Sequence, residues 1–117
     1  MTRDAIRAHC LKMPGATENM QWGDDLVFKV AGKMFAVLNL ESADSLAFKC
    51  SPEAFAELIE MEGIIPAPYL ARAHWVRLTR LDALRSTELK THLSTSWELV
   101  AAKLPKKTRA ALAQASK

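Results

Sequence analysis

The chain has 117 residues and a mass of 13.0 kDa, half of them hydrophobic and a quarter charged, with a net charge of +3. That length suits one domain, residues 1–117; no apolar run nears the ~20 residues that cross a bilayer, and Met1-Thr2-Arg3-Asp4 lacks a signal peptide's apolar segment, so a cytosolic location is expected. The charge is uneven, six basic against ten acidic residues over 1–63 and ten against three over 64–117, and a basic half suits nucleic acid or another anionic partner.

Thr2 caps a predicted first helix running to about Met13, with Ile6, Cys10 and Met13 on one stripe. Pro14-Gly15 stops it. Residues 16–22 read as a short edge strand, and Gly23-Asp24-Asp25 as a turn whose adjacent acids lack the pocket an acid–base pair needs. Three alternating segments follow, Leu26–Val30, Lys33–Leu40 and Ser45–Cys50, the pattern of an antiparallel meander. Ala31-Gly32 fits a two-residue hairpin loop. Unbroken pairing from that loop sets Phe28 opposite Phe35 and Leu26 opposite Val37, and the second loop, Glu41–Asp44, sets Val37 opposite Phe48 and Phe35 opposite Cys50. The core face is then Leu26, Phe28, Val30, Phe35, Val37, Leu46, Phe48 and Cys50. The other face, with Val27, Lys29, Met34, Ala36, Leu38, Ala47 and Lys49, suits a sheet surface that no helix fully covers.

Ser51-Pro52-Glu53 is a helix start, with a Ser cap, Pro in the first helical position and an acid in the first turn. Phe55, Leu58 and Ile59 follow at helical spacing, and Gly63 ends the element. Two prolines make residues 64–69 an extended connector rather than a helix or central strand, with Tyr69 expected to pack on the body. His74–Thr79 alternates as a strand returning to the sheet, Val76 and Leu78 on one face and Trp75 and Arg77 on the other. The longest helix opens at Asp82 or Ser86 and ends before Pro105, carrying Leu89, Leu93, Trp97, Val100 and Leu104 as its buried stripe. A short basic helix begins at Pro105. The sum is α+β: an antiparallel sheet of about five to six strands with helices packed on one face.

The chain carries few marks of catalytic or metal chemistry. His9, His74 and His92 lie in separate elements without metal-ligand spacing, so no metal is expected. No phosphate-cradling glycine loop or nucleophile elbow occurs, so no cofactor is expected and an enzyme is disfavoured. Cys10 and Cys50, without paired spacing, read as reduced buried thiols. Cations are the remaining signal. Lys29, Lys33 and Lys49 belong to the less covered sheet face and its hairpin tip. Arg72, His74, Arg77 and Arg80 surround the returning strand, and Lys106, Lys107 and Arg109 form the tail group. Each group is chemically adequate for phosphate contact. Trp75 suits base stacking less than packing.

The strings Trp22-Gly23…Phe28-Lys29-Val30…Gly32-Lys33…Phe35-Ala36, Leu46–Glu53, Pro66-Ala67-Pro68-Tyr69-Leu70…Ala73-His74-Trp75 and Ser96–Val100…Lys103–Arg109 resemble the MmcQ/YjbR-like family across nearly the entire chain. The resemblance implies a fold like CyaY, the bacterial frataxin, compared also to a double-winged module, and a predicted DNA-binding role without catalytic residues to carry over. Asp24-Asp25 departs from relatives at that turn and weakens a phosphate approach there. Iron binding of the frataxin kind needs several hard oxygen ligands together, and the first helix offers only Asp4 beside Arg3, Arg7 and Lys12. DNA binding is therefore the leading expectation, for a monomer or weak homodimer. The alternatives are a protein-interaction module using Met34, Ala36 and Leu38, and a small-molecule pocket near Tyr69, His74 and Trp75.

Overall fold

A computed structural model describes residues 1–21, 23–41 and 45–115, with side chains described as far as residue 112. Helix α1 spans Arg3–Leu11, and the Thr2 hydroxyl accepts from the Ala5 amide at 3.1 Å as its cap. Strands β1 (Ala16–Gln21), β2 (Asp25–Val30), β3 (Lys33–Asn39) and β4 (Ser45–Lys49) follow in meander order. Trp22, expected to end the edge strand, and residues 42–44 of the second loop lie outside the described residues. Ser51 caps α2 (Pro52–Leu58) through the Ala54 amide. The short strand β5 (Ile64–Pro66), β6 (Trp75–Leu78), the long α3 (Ser86–Ala101) and α4 (Lys106–Ala115) complete the chain. The sheet is antiparallel throughout, six strands in the order β1-β2-β3-β4-β6-β5.

The connector between α2 and β6 is therefore partly a strand. Its prolines are tolerated because β5 lies at the sheet edge, where Pro66 owes no hydrogen bond to a further strand. Tyr69 does not pack on the body: its side chain is fully exposed and its backbone sits at φ +67°.

The β2–β3 register departs from simple alternation. Lys29 pairs with Met34, but Phe28 pairs with Ala36, leaving Phe35 as an extra residue. This β-bulge puts two successive side chains, Phe35 and Ala36, into the interior at 0 % exposure. Beyond it the faces exchange. Val37 turns to the open face opposite Ala47, while Ala36 and Leu38 pair with Phe48 and Leu46 inside the core. The expectation that put Val37 in the core and Ala36 and Leu38 outside is corrected by that one inserted residue. The interaction surface built on Ala36 and Leu38 goes with it.

One side of the sheet carries the core. Leu89, Leu93 and Val100 of α3 and Ile6 and Cys10 of α1 pack on Phe28, Phe35, Leu46, Phe48 and Val76. Ser96 is fully buried, its hydroxyl donating to the Lys49 carbonyl and lying 2.9 Å from that of His92. Trp97 donates its indole N–H to the Pro14 carbonyl at 3.1 Å, fixing α3 against the turn that ends α1. Burial pushes the Cys10 thiol to about 12 and the Cys50 thiol to about 11, so both are unreactive at neutral pH.

Candidate functional site on the open sheet face

The sheet face away from the helices is not uniformly bare. Val27, Ala67 and Trp75 are almost completely buried without belonging to the main core. The segment between β5 and β6 produces part of this cover. The Ala67 amide donates to the Trp75 carbonyl at 3.0 Å, and the Leu70 amide to the Ala67 carbonyl at 3.1 Å, folding residues 67–70 into a tight arch. The arch roofs a cavity of about 610 Å³. Val37, Ala47, Met34 and Arg77 form its floor, and Asp25, Asn39 and Ser45 its far wall. Asn39 Nδ2 donates to Asp25 Oδ1 at 2.8 Å, so two residues from neighbouring strands hold that wall as a unit. Tyr69 stands at the mouth.

A second, shallower hollow of about 310 Å³ adjoins the first and shares Met34 with it. Here β3 begins, β4 ends and β6 begins, so Lys33, Lys49 and Trp75 meet at one end of the sheet. The C-terminal end of α3 arrives there too, adding Val100, Lys103 and Leu104. No acidic side chain lines this hollow. Lys49 Nζ donates to the Ala73 carbonyl at 2.8 Å. Burial, then the nearby Lys103 charge, hold its pKa below the usual lysine value. Among the described residues, Lys33, Lys49 and Lys103 make no ion pair.

The other cations expected to act together divide into groups. Lys29 faces Met34 across the β2–β3 ladder and so shares the open face. Arg77 belongs to the roofed cavity. Lys106, Lys107 and Arg109 are exposed on α4, which starts two residues after Leu104. Arg72 is exposed on the short turn Ala71–Ala73. Arg80 lies beyond the opposite end of β6, 3.1 Å from Asp82 and 3.9 Å from Glu62. His74 is a backbone corner at φ +62°: its carbonyl accepts from the Cys50 amide at 2.9 Å, and its ring meets Phe55 edge-on at 5.6 Å. Neither His74 nor Trp75 lines the roofed cavity. Lys103, Asn39 and Ser45 escaped the sequence reading. A clue to Lys103 was its place one residue before Leu104, which closes the buried stripe of α3.

Among the described residues, no three His, Cys, Asp or Glu side chains gather as a metal-holding group, and no helix is long and apolar enough to cross a membrane.

Fold and face together define a small α+β domain with helices on one side of an antiparallel sheet, a roofed cavity on the other and a lysine-lined hollow at one sheet end. The YjbR family model matches residues 11–99, and the chain belongs to that family. It is similar to the crystal structure of Deinococcus radiodurans DR2400, which carries a DUF419 domain. That match has 29 % identity and a TM-score of 0.86, covering 96 % of this chain and 88 % of the other. A Pseudomonas syringae protein solved as structural genomics target PsR293 shares the fold at 23 % identity and a TM-score of 0.70, with 85 % and 98 % of the two chains covered. Among curated proteins none matches.

Proposed function

We propose that this YjbR-family domain is a non-enzymatic DNA-binding module whose phosphate contacts centre on Lys33, Lys49 and Lys103. The observation that carries the reading is the convergence of these three lysines, from two strands and a helix end, around one hollow that no carboxylate lines. Crowded like charges favour an anion between them; the Lys49 pKa is lowered first by burial and then by the Lys103 charge, and a bound anion would relieve the second of these. Lys106 and Lys107 extend the positive surface onto α4, and Lys29 extends it along the sheet. Arg80, paired with Asp82, contributes little. The arrangement offers contacts to a phosphate backbone and little base readout, so affinity without strong sequence preference is the expected behaviour.

Fluorescence anisotropy with a labelled duplex oligonucleotide tests this. Binding is expected at low salt, weakening linearly on a logarithmic salt axis. Replacing Lys33, Lys49 and Lys103 together by Ala is expected to reduce the slope by about 2 to 3, since each phosphate contact contributes about 0.9. Absence of binding at about 50 mM salt, where contacts of this kind are strongest, overturns the reading.

A further inference from the structure

We infer that the roofed cavity beneath residues 67–70 is a binding site for a small organic carboxylate with an apolar body, in a hollow that adjoins the lysine hollow but has its own cation. Its volume, about 610 Å³, lies in the range of ligand pockets. The floor is apolar where Met34, Val37 and Ala47 meet, and Pro68 and Leu70 close it from above. Such an apolar lining favours a ligand with an apolar body, which loses water as it seats against these side chains.

The charge of the ligand follows from Arg77. Arg77 lines the cavity, and its side chain makes no ion pair or side-chain hydrogen bond among the described residues. The acid of the cavity does not neutralise it: Asp25 belongs to β2 and Arg77 to β6, three strand spacings away, roughly 14 Å. Asp25 is instead bonded to Asn39. The cavity is therefore polarised, with a planar cation free of any carboxylate partner on β6 and a hydrogen-bond-accepting Asp25 on β2. A carboxylate suits the first because it meets the guanidinium fork with two parallel hydrogen bonds. An N–H or hydroxyl on the opposite side of the ligand suits the second. Tyr69, fully exposed at the mouth and held at φ +67°, presents a ring that an occupant would cover.

The test compares indole-3-acetate with its neutral, equally shaped amide by NMR titration of the amide signals of the whole chain. Indole-3-acetate is expected to bind with a dissociation constant on the order of 1 mM or tighter, a modest affinity for a ligand so small. Its shifts should concentrate on Val37, Ala47, Leu70 and Arg77. The amide is expected to bind about tenfold more weakly, the usual consequence of losing a charge-assisted pair. Arg77→Met, which keeps the apolar stem, should bring the carboxylate down to the level of the amide and leave oligonucleotide affinity nearly unchanged. Equal binding of acid and amide to the native chain, shifts confined to Lys33, Lys49 and Lys103, or no binding of either compound overturns the inference. The first comparison needs no variant, so a folding defect in Arg77→Met does not rescue it. Loss of oligonucleotide binding alone would leave this cavity untouched.

Discussion

Phe28 stands directly opposite Ala36, and the displaced Phe35 sits beside them with its ring centroid 6.4 Å from that of Phe28. This pairing sets the inside and outside of β3. Ala36→Lys is expected to cost about 3 kcal/mol or more, because a charge would enter a fully buried position. Val37→Lys, one residue along and half-exposed, should cost about 1 kcal/mol or less. Chemical denaturation of the two variants checks the assignment, and the opposite ranking would restore simple alternation.

Ser96 offers a second measurement. Its hydroxyl joins α3 to β4 through the Lys49 carbonyl in a region with no solvent access. Ser96→Ala is expected to lower stability by about 1–2 kcal/mol, since the carbonyl loses a buried donor. The same change should leave the cavity floor intact.

Trp97 and Pro14 give a third. Trp97→Phe retains an aromatic ring but not the indole N–H that reaches the Pro14 carbonyl. A loss of about 1 kcal/mol is expected from the hydrogen bond, with a further packing loss from the smaller ring. Hydrogen exchange should report faster opening around residues 14–16 before any change in β4 or β6.

The pH dependence of stability follows from two histidines. Burial holds His92 and His9 below the ordinary histidine value of 6.5. His92 also stacks on Phe48 at 5.7 Å. A histidine whose folded pKa is depressed takes up a proton more readily in the unfolded chain. Its contribution is therefore complete above 6.5 and declines as pH falls below that value. Thermal melts from about pH 7.5 to about pH 5.5 should show a falling Tm, with a slope of at most about 1.4 kcal/mol per pH unit for each proton. His92→Phe should flatten the slope. A Tm that rises on acidification in that window contradicts the assignment.

Much of the architecture was legible because local chemistry and global fold agree. Thr2 and Ser51 cap where expected, and the stripe from Leu89 to Leu104 lies against the sheet, whereas α2 ends at Leu58, short of the expected stop at Gly63. What escaped was the consequence of one extra residue. A bulge has no fixed sequence mark, and the apolar string from Met34 to Leu38 supports either phase of alternation. The cavity was hidden for a related reason. Its floor depends on Val37 facing outward, and its roof on Tyr69 in a left-handed conformation that the sequence around two prolines did not announce. Lysines from β3, β4 and the turn after α3 meet only through tertiary arrangement. Their separate positions carried no sign of the encounter.

The two borders of the sheet differ in how readily they would accept a foreign strand. The β5 border is three residues long, the last of them Pro66, whose nitrogen has no hydrogen to offer an incoming backbone. The β1 border is six residues long, none of them proline, and Glu18 near its centre is clasped by Arg7 through contacts of 2.6 to 2.9 Å. That ionic clasp holds charge on the β1 border, a feature that discourages the docking of another strand. Acid strong enough to protonate Glu18, or salt strong enough to loosen the pair, would leave that margin sticky while the proline-ended margin stayed inert.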